Sequence, residues 1–160
     1  MAEERKSNDE RPKLLFFDNQ SFVVKSLVMN LKLRGWDINL VSDINELFHL
    51  LNHAQYQILI LDIMAPVPQM KCKSVSFTES QINEMDNGLN TGVVLAKKIW
   101  QLENYKETPI LFLSGRSNPI PGDPILQERN KNRKCDHLRK PQWAKDVDQL
   151  LNKMLNPSKP

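Results

Sequence analysis

Apolar and polar positions follow two regimes along the chain. Five short apolar runs stand out: KLLFF (13–17), DINLVSD (37–43), YQILILD (56–62), TPILFLS (108–114) and the weaker KCDHLRK (134–140). Runs of four to six apolar residues read as strands buried on both faces. Between them the spacing becomes helical. Val24, Leu27, Val28 and Leu31 predict a helix over 20–34 that stops at Gly35. Ile44, Leu47, Phe48 and Leu51 form an i, i+3, i+4, i+7 stripe, with Asp43 as N-cap and Glu46 three residues on, as in a capping box. Leu89, Val93, Ala96, Ile99 and Trp100 predict a helix over 88–103. Trp143, Val147, Leu150, Leu151 and Met154 give the last helix its core stripe, with Pro141 at or near its start. Pro119, Pro121 and Pro124 confine any helix before the fifth strand to about residues 125–132. Residues 1–12 are polar and aperiodic, as in a disordered tail. Residues 67–87 show neither period, an unusually long connection for a compact domain.

The resulting order, βαβαβαβ(α)βα, predicts an α/β fold. It is a flavodoxin-like, doubly wound sheet of five parallel strands in the order 2-1-3-4-5, with helices on both faces. A single domain over 13–156, with an insertion at 67–87 and no output domain, accounts for the pattern. Ligands of such sheets bind at the carboxyl ends of the strands, where the strand order reverses between strands 1 and 3. Polar residues collect at that edge: Asp18-Asn19 after strand 1, Asp62 after strand 3, Ser114 ending strand 4 and Lys140 after strand 5. Two facing carboxylates repel unless a cation lies between them. Mg²⁺ accepts a few protein oxygens and keeps its waters, so Asp18, Asp62, a backbone carbonyl and the Asn19 side-chain oxygen form a candidate site. Lys140 adds a fixed positive charge and Ser114 a hydroxyl. Together these groups would stabilise charge on a transferring phosphoryl group, with Asp62 as the nucleophile.

Composition narrows the field. The 160 residues are 40% hydrophobic and 26% charged, as in a globular domain. Two distant cysteines, Cys72 and Cys135, argue against a disulfide framework or structural zinc. No apolar run approaches the roughly 20 residues of a membrane span, and no signal-peptide core follows the N-terminus, so a cytoplasmic protein is expected. The net charge of +3 is too weak to imply nucleic acid. Residues 129–140 nevertheless hold six Lys/Arg against one Asp, a local +5 that is either a solvated turn or a docking patch for an acidic partner. The chain lacks the D-x-D of a haloacid-dehalogenase-type phosphatase, the P-loop and a flavin phosphate loop, so an independent enzyme is not expected. His49 and His53, at i, i+4, read as solvent-facing rather than as a metal pair.

These residues together resemble a response-regulator receiver domain of two-component signalling. LLFFDNQ is similar to the family's first strand with its acidic pair, and LILDIMAP to the phosphoacceptor strand with a proline four residues after the aspartate. DNGLNTGVVLAKKI resembles the Asp-Gly entry to helix 3, PILFLSG the strand ending in Ser or Thr, and RKP the Lys-Pro signature. The resemblance implies Asp62 as the residue phosphorylated by a histidine kinase or phosphotransfer protein, Lys140 as the phosphoryl contact and Ser114 as the reporting hydroxyl. It implies Met64 as the backbone carbonyl ligand of Mg²⁺ beside Asp18, Asn19 and Asp62. His137 takes the place of the family's switching aromatic. It further implies signalling to a downstream protein through the family's helix 4–strand 5–helix 5 face, a possible homodimer there, and no nucleic-acid or membrane contact. Three features depart from the pattern: Asn19 where an acid usually binds metal, the long segment 67–87, and a fourth helix eroded by prolines. They leave an alternative, a degenerate receiver that binds partners without phosphorylation. The segment's position after Asp62 suggests a lid or docking element.

Overall fold

The computed structural model describes residues 11–115, 123–131 and 134–157. Most of the expected tail, 1–12, and the proline-rich stretch 116–122 lie outside them. The five strands are β1 (Lys13–Phe17), β2 (Asp37–Val41), β3 (Ile58–Leu61), β4 (Ile110–Ser114) and β5 (Cys135–Arg139). The helices are α1 (Ser21–Leu33), α2 (Ile44–His53), α3 (Glu79–Glu84), α4 (Thr91–Trp100), α5 (Pro124–Asn130) and α6 (Ala144–Leu155). All strand pairs are parallel, in the order β2-β1-β3-β4-β5. This is the doubly wound arrangement expected from the sequence.

Side-chain alternation along each strand builds two cores. Leu14, Phe16, Ile58, Ile60, Leu111 and Leu113 face α1 and α6, together with Val24, Val28, Val147 and Leu151. Leu15, Phe17, Leu59, Leu61 and Phe112 face α2 and α4. Helix ends follow local chemistry. Asp43 caps α2 by accepting from Glu46 N at 2.9 Å. Gly35, at φ +102°, ends α1, with Gly35 N on the Lys32 carbonyl and Trp36 N on that of Leu31, a left-handed closure that glycine adopts without strain.

Four expectations need correction. Trp143 is not part of the α6 stripe: it is the N-cap residue and 82% exposed, so its ring lies outside the core. Pro141 lies three residues before the helix, in the loop leaving β5. Leu89 precedes α4 and is exposed, because a 3-10 turn over Asp86–Gly88 delays the helix to Thr91.

The fourth correction concerns residues 67–87, which are ordered into an anchored unit. Residues 70–77 form a small hairpin with a Lys71–Ser76 bridge, and Phe77 N donates to the Met70 carbonyl at 2.7 Å. Ser74 N donates to the Asn45 side chain on α2 at 3.1 Å. Thr78 and Gln81 then form a reciprocal capping box that starts α3. Phe77 and Met85 are buried in the α2/α4 core, and Phe77 meets Phe48 edge-on at 6.4 Å. Three spaced anchors and a six-residue helix are too short to generate a readable period, although Thr78-Glu79-Ser80-Gln81 does carry the capping-box signature.

The insertion is therefore expected to contribute to global stability. Phe77→Ala should cost about 3 kcal/mol in urea unfolding, the usual penalty for truncating a buried phenylalanine. A loss under about 1 kcal/mol would mean that the unit merely rests on the surface.

Candidate functional site

Three backbone hydrogen bonds carry the sheet ladder one residue past its strands. Asp18 N donates to the Val41 carbonyl (3.0 Å), Asp62 N to that of Phe17 (2.9 Å) and Lys140 N to that of Ser114 (2.8 Å). Phe17 pairs with Leu61 in the β1–β3 register, so Asp18 and Asp62 emerge side by side. They do so where β2 and β4 diverge to opposite sides of β1 and β3, which is the crevice expected of this topology. Both carboxylates are buried, Asp18 completely and Asp62 at 5% exposure, and Ser114 is buried at the end of β4.

The pair is held by donors from three loops. Lys140 Nζ bonds to Asp18 Oδ2 and lies 3.4 Å from Asp62 Oδ2. Gln20 N donates to Asp18 Oδ1 at 2.8 Å, and Met64 N to Asp62 Oδ1 at 3.3 Å. One end of the Asn19 carboxamide stands 3.2 Å from Asp62 Oδ2 and 3.3 Å from the Met64 carbonyl oxygen; with nitrogen at that end, it donates to both. Burial pushes the Asp62 carboxyl above its ordinary range; the Lys140 ammonium pulls it down, and the Asp18 charge adds to the rise.

A divalent cation fits this donor set on one condition. Oxygen ligands of octahedral Mg²⁺ stand roughly 3 Å apart, close to the separation of the facing Asn19 atom from Asp62 Oδ2 and from the Met64 carbonyl oxygen. The condition is that Asn19 turns its oxygen inward. Among the described residues no cluster of three or more His, Cys, Asp or Glu could hold a metal, so neutral oxygens must complete the set.

Asp18, Asn19, Asp62, Met64 and Lys140 therefore meet at one point. Ser114 stands at the adjoining strand end, tied to Lys140 through its carbonyl. His137 is half-buried on β5, opposite Phe112. His49 and His53 are both exposed on α2, with the His53 ring bonded to the His49 carbonyl at 2.7 Å.

Sequence reasoning missed the residues that brace the loop after β3. Gly92 N donates to the Ile63 carbonyl at 2.8 Å, and Thr91 Oγ1 to that of Ala65 at 2.7 Å. A Cβ on Gly92 would stand 2.0 Å from the Asp62 carbonyl oxygen and 2.7 Å from Ile63 Cα. The start of α4 can approach the loop this closely only because position 92 has no side chain. The nearby Asp86-Asn87-Gly88 run marks Gly88, and nothing local distinguishes Gly92.

No family model matches the sequence, and no curated protein matches it. Solved structures do. The receiver domain of Francisella response regulator 1452 is 19% identical, with a TM-score of 0.64 over 93% of this chain and all of that one. Chemotaxis protein CheY4 of Vibrio cholerae is 19% identical, with a TM-score of 0.66 over 90% of this chain and 98% of that one. The signal receiver domain of an HD domain-containing protein from Pseudomonas fluorescens Pf-5 is 20% identical, with a TM-score of 0.65 over 92% and 96%. The fold is that of response-regulator receiver domains. No helix among the described residues is long and apolar enough to cross a membrane.

Gly92→Ala should therefore displace the Asp62 loop and destabilise the fold by about 3 kcal/mol, because the clash is with the backbone of Asp62 and Ile63 rather than with a side chain that can turn aside. Denaturant unfolding checks it; Gly115→Ala is the control, since a Cβ there meets nothing within 4 Å.

Proposed function

We propose that the chain is a phosphoacceptor receiver in a two-component or phosphorelay pathway, with Asp62 as the residue phosphorylated. The observation that carries this reading is Lys140 Nζ set between two buried carboxylates at the sheet's carboxyl edge. Asp62 Oδ attacks the donor phosphorus and forms an acyl phosphate as the P–N bond of a phosphohistidine breaks, the leaving imidazole taking up a proton. Lys140 meets the charge on the phosphoryl oxygens, and its tie to Asp18 fixes where that charge stands. Ser114, one strand over, supplies a hydroxyl to a phosphoryl oxygen. Asp18, Asp62, the Met64 carbonyl and the Asn19 carboxamide are the groups to hold a divalent cation, which when bound would neutralise phosphoryl charge. The three solved structures named above are receiver domains or a chemotaxis protein, in keeping with a signalling role exercised through protein contact.

A face other than the one expected suits the phosphodonor. On the helix 4–strand 5–helix 5 side, here α5, β5 and α6, much of the basic segment is engaged within the chain. Arg129 pairs with Asp136, Lys131 with Glu128 and Lys134 with Glu107. Exposed apolar side chains stand instead on α1, where Phe22 is 82% and Val23 63% exposed, and at the N-cap of α6, where Trp143 is 82% exposed. Val23, Leu27, Lys140 and Trp143 line a groove of about 250 Å³, so the patch adjoins the site through Lys140. Helix α1 carries Lys25 and Lys32 and no acid. A phosphodonor protein with an apolar helix flanked by Asp or Glu suits it.

The alternative, a phosphorylation-independent interaction module, is favoured by one observation: each of the four carboxylate oxygens of Asp18 and Asp62 already has a donor.

Intact mass after incubation with acetyl phosphate and Mg²⁺ separates the two. The wild type should gain one phosphoryl group and Asp62→Asn none; no gain in the wild type selects the interaction module. Phe22→Glu should keep uptake from acetyl phosphate and slow transfer from a phosphohistidine protein donor at least about tenfold. Equal transfer rates would remove α1 as the donor face.

A further inference from the structure

Asn19 offers the site either an acceptor or a donor from nearly the same shape. Its inward-facing atom lies 3.2 and 3.3 Å from two acceptors, Asp62 Oδ2 and the Met64 carbonyl, while its outward atom faces donors. With nitrogen inward and oxygen outward, both ends of the carboxamide are satisfied and no cation is needed. With oxygen inward, the Asn19 oxygen stands 3.2 and 3.3 Å from two further oxygens, separations suited to ligands of a shared divalent cation, and the NH₂ is turned against donors. The two orientations differ by a half-turn about one side-chain bond, so the backbone need not move.

We infer that Asn19 is a two-way ligand: nitrogen inward, it closes the carboxylate pair without metal, and turned over, it accepts a divalent cation. Cation binding carries two costs at this site. Two amide hydrogen bonds are given up, and the NH₂ loses its favourable surroundings. The resting state is the cation-free one, and the cation is held weakly. An aspartate at position 19 would reverse this balance. Its carboxylate would be a third negative group against Asp18 and Asp62, relieved only in part by Lys140, so the site would bind the cation tightly and suffer without it.

The inference rests on the same site as the proposed function but concerns cation binding alone, so its test needs no phosphoryl group. Mg²⁺ affinity is measured by titration calorimetry, and thermal melting is followed in EDTA and in Mg²⁺, for the wild type, Asn19→Asp and Asn19→Ala. Side-chain NH₂ resonances of ¹⁵N-labelled wild type are followed over the Mg²⁺ titration, with Asn19→Ala identifying the Asn19 pair. Asn19→Asp should bind Mg²⁺ at least about tenfold more tightly than the wild type and melt lower than it in EDTA. A variant that folds only with Mg²⁺ supports the inference equally. The Asn19 NH₂ resonances should shift as Mg²⁺ binds. Wild-type affinity equal to that of Asn19→Asp overturns the inference. Asn19 resonances that stay fixed while Mg²⁺ saturates the wild type also overturn it, and they decide the matter if Asn19→Asp does not fold. Failure of Asp62 to take a phosphoryl group would sink the proposed function and leave these outcomes unchanged.

Discussion

The arrangement turns on the burial of two like charges side by side. Asp18 and Asp62 leave adjacent parallel strands in register, and both carboxylates are buried. Such a pair is tolerated only where fixed donors surround it. Here those donors come from three loops at the sheet's carboxyl edge: Gln20 N and Asn19 after β1, Met64 N after β3, and Lys140 after β5. The position of Lys140 in turn depends on the β4–β5 register, because its backbone nitrogen is bonded to the Ser114 carbonyl. A requirement local to two carboxylates thus ties together four strands, and the same fixed charges suit a group that becomes more negative during transfer.

The insertion between β3 and α4 interacts with this centre indirectly. It is held by Phe77 and Met85 in the α2/α4 core and by Ser74 on Asn45. Its hairpin and the loops after β1, β2 and β3 enclose a cleft of about 520 Å³ that reaches Asn19. An extended loop would have left the cleft without a wall. The capping box that starts α3 and the buried ring of Phe77 make that wall stable.

Much of the site was legible because strand ends are legible. Solid apolar runs end where burial ends, and in a parallel sheet the residues just past them share one edge. Asp18, Asp62, Ser114 and Lys140 could be read that way, since each follows or closes such a run. Trp143 misled because a large apolar residue at helical spacing looks like core, although it lies outside the helix with its ring in solvent. The insertion was legible as a segment but its internal structure was not, because its anchors are too sparse to make a period. Gly92 carries no local mark at all: its role is an absence of atoms, defined by backbone from β3 that approaches it.

The sequence by itself determined the order of strands and helices, the doubly wound class and which polar residues reach the carboxyl edge. These follow from hydrophobic period and chain connectivity, both properties of neighbouring positions. Tertiary structure alone decided the direction of each contact: that Lys140 bridges two acids 122 and 78 positions away in the chain, that Asn19 faces two acceptors, and that the basic segment is partly paired within the chain. Hydrogen bonds and ion pairs depend on separations of about 3 Å, which only the packed sheet and its loop closures establish.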